Sequence, residues 1–142
     1  MRLYHFTCSH CIAGVASEGL TEGSLLWMPA FSKKNLRMDS GWQWLTQEPD
    51  PKRQAWAKRF MLDCDREEWR LTIVVPFDVM PRLVRWTHLR SILPANQEWL
   101  SGFERPGSEA WFLFRGAIPA TWIARIDRSA VEVPREDALR SI

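Results

Sequence analysis

Residues 2–7 read Arg2-Leu3-Tyr4-His5-Phe6-Thr7, an alternating stretch that predicts a short strand from Arg2 to Phe6, ended at Thr7. Working outward, Ser9 stands where an N-cap belongs, ahead of a short helix running to Glu18. Ile12, Val15 and Ala16 recur at helical spacing and give that helix one apolar side. Gly19 is a suitable helix terminator, and Leu20 is expected to tuck back toward the core.

Further elements follow from the same patterns. Leu25-Leu26-Trp27-Met28 is a short apolar run closed by Pro29 and predicts a strand. Lys33-Lys34-Asn35 and Asp39-Ser40-Gly41 read as loops. Trp42-Gln43-Trp44-Leu45-Thr46 alternates like a strand, and a helix is expected from Ala55 to Leu62. Trp69 to Val75 is β-branched, alternates at its start and stops at Pro76, which makes it the clearest strand. Pro81 is expected to open a helix from Arg82 to Ile92, and Pro94 to Leu100 a second short one ended by Gly102. Trp111-Phe112-Leu113-Phe114 reads as a strand buried on both faces, and Trp122 to Ile126 as another. The regular βαβ alternation of a doubly wound sheet is missing. The order predicts an α+β fold with a mixed or antiparallel sheet and short flanking helices.

A chain of 142 residues is the usual size of one domain and can bury a core without staples. The reading is a single domain over residues 1–142, with a polar tail from about residue 134 that is expected to attach loosely. A formal net charge of +2 lacks the basic excess of a domain built to grip nucleic-acid backbone. Nine tryptophans are far more than usual. Most are expected in the core, and a few could line a cleft for a flat ligand. Three cysteines, Cys8, Cys11 and Cys64, make no disulfide framework. No stretch reads as a signal peptide, and no apolar run approaches the roughly 20 residues of a membrane span. The expected compartment is the cytoplasm, with no membrane partner.

Three patches bear on chemistry. Tyr4-His5-Phe6-Thr7, followed by Ile12 and Gly19-Leu20, resembles the first strand and helix of the ADP-ribosyltransferase-like superfamily. The look is that of its small bacterial and phage members. In that superfamily a first-strand His, followed by a small polar residue, holds the nicotinamide ribose and amide of NAD. Trp44-Leu45-Thr46 is similar to the family's central strand motif. Glu109, heading Trp111-Phe112-Leu113-Phe114, resembles the glutamate that starts a late strand. The resemblance implies NAD as co-substrate, held by His5 and Thr7, with Trp44 and Thr46 as pocket wall. Glu109 and His5 would be catalytic, the carboxylate steadying an oxocarbenium-like transition state. Glu98 and Glu104 are rival acids. Tyr4 is the only tyrosine, so Trp44 or Trp27 would have to stack on the nicotinamide. The acceptor could be protein, nucleic acid or a small molecule. The family also holds members that lost activity, so a binding module for a nucleotide or a host protein, carried by a phage or mobile element, is the alternative expectation.

Two further features read structurally. Cys8-Ser9-His10-Cys11 lacks the second ligand pair of a zinc site and the frame of a thioredoxin-like motif, so no metal is expected there and partial burial is its expected role. Arg82, Arg85 and Arg90, with Trp86 and His88, predict one helix with a basic, solvated side.

Overall fold

The computed structural model describes residues 1–31, 35–53, 67–104 and 106–128. Among them the chain runs β1 (Arg2–Thr7), α1 (Ser9–Glu18), β2 (Ser24–Trp27), β3 (Arg37–Ser40), β4 (Trp42–Thr46), β5 (Trp69–Val74), β6 (Leu83–Arg85), α2 (Trp86–Ile92), α3 (Gln97–Phe103), β7 (Trp111–Arg115) and β8 (Ile123–Arg128). Six strands form one sheet in the order β6-β7-β4-β1-β5-β8, and every neighbouring pair is antiparallel. β2 and β3 make a separate antiparallel hairpin. The class is therefore α+β with an antiparallel sheet and a few helices, as the order of elements predicts. The helix expected from Ala55 to Leu62 and the tail from about residue 134 lie outside the described residues.

Alternation along each strand sorts side chains onto two faces. On one face Leu3, Leu45, Leu71, Ile73, Phe112, Phe114 and Ile126 form a buried cluster. Ile12, Val15 and Ala16 of α1 pack against it, the three positions whose helical spacing predicts an apolar side. On the other face Trp111 and Leu113 pack with Trp86 and Leu89 of α2, Leu100 of α3 and Leu25 and Trp27 of the hairpin. β7 is covered from both sides, so four consecutive apolar residues are buried there. Each fully buried Leu or Ile contributes about 1.5–3 kcal/mol relative to exposure, which is why the sheet needs both layers.

Several expectations change. Cys8, not Ser9, is the N-cap of α1 and makes no side-chain capping bond. The Ser9 hydroxyl instead accepts from Trp69 Nε1 at 3.2 Å. Asp39 and Ser40 belong to β3 rather than a loop, and Asp39 accepts from Trp27 Nε1 at 2.8 Å. Arg82 to Ile92 is not one helix. Pro81 lies inside a 3-10 segment, Phe77–Arg82, and Leu83–Arg85 then pairs with β7 as a sheet edge before α2 begins. The arginines that a single helix would have aligned are dispersed. Arg82 and Arg85 lie over the rings of Phe114 and Phe112, at 5.0 and 4.9 Å, and Arg90 pairs with Glu104. Arg82 and Arg85 thus lay their guanidinium groups over core aromatics at the sheet edge, and Arg82 Nε also donates to the Arg115 carbonyl at 2.8 Å. The second short helix runs to Phe103, with Gly102 inside it, and starts where Asn96 accepts from Trp99 N–H at 3.1 Å. Trp122 ends a 3-10 turn, so β8 begins one residue later than expected, at Ile123.

Candidate functional site

The middle of the sheet is where the chain departs from regular pairing. β1 shares six register positions with β5, and β4 shares five with β7. β1 and β4 share one, Tyr4 opposite Thr46. The sheet is thus two three-stranded halves, β6-β7-β4 and β1-β5-β8, hinged at that pair and parting beyond it. Backbone groups inside a sheet are strong donors and acceptors that must be met by something. Along the inner edge of β4 they are met by three different things. Tyr4 pairs at one end. In the middle, the Trp44 carbonyl accepts from His5 Nδ1 at 2.7 Å. At the far end Gly23 closes in, its carbonyl accepting from Trp42 N–H at 3.3 Å and its N–H donating to the Gln43 side-chain Oε1 at 2.9 Å. An alanine there would bring its Cβ within 2.2 Å of the Trp42 carbonyl, so the position needs a residue without a side chain.

His5 is therefore the wedge of the fork. A carbonyl can only accept, so Nδ1 carries a proton, and a ring in its neutral form then has Nε2 as its acceptor nitrogen. His5 stands opposite Leu71 and Thr7 opposite Trp69, which puts both on the α1 face. Gln43, opposite Phe114, lies on that face too. Beyond the Tyr4–Thr46 pair it is Gly23, not Thr7, that lies beside β4, so Thr7 and Gln43 share a face of the sheet from opposite sides of the fork. Thr7 and Gln43 are both buried, and Gln43 Nε2 has no hydrogen-bond partner among the described residues. A buried amide N–H left unmatched costs about 1–3 kcal/mol, so such a group calls for an explanation.

The other expected residues lie elsewhere. Thr46 has no exposed surface. Its Oγ1 accepts from Glu48 N–H at 3.0 Å, which shapes the turn after β4. The Trp44 ring packs on the opposite face, 5.4 Å from Trp86 and 5.8 Å from Trp111, with Nε1 donating to the Ser24 carbonyl at 3.0 Å. Trp27 is buried in the same cluster. Glu109 is exposed in the 3-10 turn Ser108–Ala110 that leads into β7, and that turn packs on α2. That turn stands at the Thr46 end of β4. Glu98 is exposed on the first turn of α3, and Glu104 is engaged by Trp86 Nε1 and Arg90. Among the described residues His5, Thr7 and Gln43 share the α1 face of the sheet, whereas the Trp44 ring and the turn that carries Glu109 pack on the other. An acid near Thr7 in the fold is Glu68, which accepts from Ser9 N–H at 3.3 Å. No protein-family model, curated protein or solved structure matches the chain. Gln43 was legible in principle, because a glutamine alternating with Leu45 on the apolar side of a strand is a buried polar group in need of partners.

Proposed function

We propose that the chain is an ADP-ribosyltransferase-like domain that binds NAD, or a nucleotide of the same kind, at the fork between β1 and β4, and that it acts as a binding module. The observation that carries this is the Gln43 amide nitrogen, buried on the same face as His5 and Thr7 with no partner among the described residues. A carboxamide-bearing base with a ribose matches that set chemically. Its carbonyl accepts from an amide N–H, and ribose hydroxyls donate to an imidazole nitrogen or exchange bonds with a threonine hydroxyl. Binding rather than turnover is favoured because Glu109, the expected transition-state carboxylate, heads β7 beside α2 and not the fork.

The test is thermal unfolding with NAD and, separately, nicotinamide mononucleotide. Ligand at 100 times its dissociation constant should raise stability by about 2.7 kcal/mol, and His5→Ala and Gln43→Met should each abolish the rise. Absence of any rise in the wild-type protein would end the nucleotide reading. Labelled NAD distinguishes the transferase alternative. Nicotinamide release by the wild type that disappears in Glu109→Ala would replace the binding module by an enzyme.

A further inference from the structure

Cys8 and Cys11 have no part in the nucleotide reading, yet their geometry is specific. Cys8 caps α1 in an extended conformation and is buried, whereas Cys11 is exposed. The turn between them is closed by Cys11 N–H donating to the Cys8 carbonyl at 3.1 Å. The Cys8 thiol donates to Cys11 Sγ across 3.9 Å. Among the described residues no group of three His, Cys, Asp or Glu side chains is arranged to hold a metal ion.

We infer that Cys8 and Cys11 form a redox dithiol that closes to an intramolecular disulfide by exchange with a small disulfide such as oxidised glutathione. The sulfurs lie 3.9 Å apart with nothing between them in the chain but one turn of helix, and the bond requires them to approach to about 2.05 Å. Exposure assigns the roles. Cys11, as thiolate, attacks one sulfur of the small disulfide, and the first small thiolate leaves. Cys8, as thiolate, then attacks Cys11 Sγ in the mixed disulfide, and the second small thiolate leaves. Two cysteine thiols are oxidised, one small disulfide is reduced, and the two cysteine protons end on the two released thiols. Because Cys8 directly follows Thr7, closure locks the junction of β1 and α1.

The experiment equilibrates the full chain with defined ratios of reduced to oxidised glutathione, quenches it with acid, and maps it by intact mass and peptide analysis. Wild type and Cys64→Ser should each lose two hydrogens and yield a peptide linking Cys8 to Cys11. Cys8→Ser should stop at a glutathione adduct on Cys11, and Cys11→Ser should take up none at Cys8. The wild-type peptide map needs no variant to fold, so it stands if a substitution proves disruptive. A wild type that accumulates only the Cys11 adduct, stays fully reduced, or joins either cysteine to Cys64 would overturn the inference.

Discussion

Trp86 has no exposed surface, and its ring lies against Trp44 at 5.4 Å and Phe103 at 5.6 Å, while Nε1 donates to Glu104 Oε1 at 3.2 Å. Two contributions can be separated there. Trp86→Ala empties the space and should cost about 3–5 kcal/mol. Trp86→Phe keeps most of the packing and gives up the bond to Glu104, worth about 1.5–3 kcal/mol when the partner is charged. Urea unfolding of the two variants measures the split, and equal losses would mean that the hydrogen bond rather than the ring volume holds the site. Asp127 presents a different case. It is 5% exposed and accepts from Arg70 at 3.3 Å and Arg125 at 2.7 Å. Asp127→Ala strands two half-buried guanidiniums and should cost about 1–3 kcal/mol. Arg70 retains a bond to the Pro49 carbonyl, which places the expected loss at the lower end. A midpoint unchanged in low salt would show that the cluster contributes nothing.

Helix α1 ends where Gly19 adopts φ +84°, and a Cβ on it would sit 2.0 Å from the Ile118 carbonyl. That carbonyl accepts from Leu20 N–H at 2.9 Å, and Ile118 N–H returns the bond to Leu20 at the same distance. Gly19→Ala therefore meets both an unfavourable backbone conformation and a neighbouring main chain. It should cost more than the about 1 kcal/mol of an ordinary glycine effect, read as a lowered melting temperature. This terminus was legible in the sequence, as were β1, β2, β4, β5 and β7, because each has enough residues to display its period or a strong stop. β6 was not. Three residues, Leu83-Val84-Arg85, are too few to show alternation, and Pro81 is as much at home in a 3-10 turn as in the first turn of a helix. β3 was missed because Asp39 and Ser40 have turn-forming side chains, and what overrides that preference is the pairing of Leu25 with Asp39 in the hairpin. The site was half legible for a related reason. His5 and Thr7 stand on one strand two residues apart, so their shared face follows from sequence. Whether Thr46, Trp44 and Glu109 join them depends on which residue of β4 meets Tyr4, and a shift of one position exchanges the faces.

The two halves of the sheet meet at one register pair, so cohesion must come from the layers above and below. The α1-face cluster draws Leu3, Leu71, Ile73 and Ile126 from one half and Leu45, Phe112 and Phe114 from the other. Leu45→Ala, at the seam, should cost about 2–5 kcal/mol and leave a single unfolding transition that coincides across probes. Two separated transitions would show that the halves unfold independently. The second layer has an optical consequence. Trp44 lies within 5.4 Å of Trp86 at a 48° tilt and 5.8 Å from Trp111 nearly edge-on, and indoles so close and so oriented couple their excited states. The folded chain should therefore show an exciton couplet in its circular dichroism that vanishes in Trp44→Phe. A cluster of three chromophores thus lies on one side of the sheet while the imidazole occupies the other, and events at the two sides can be followed by separate signals in the same sample.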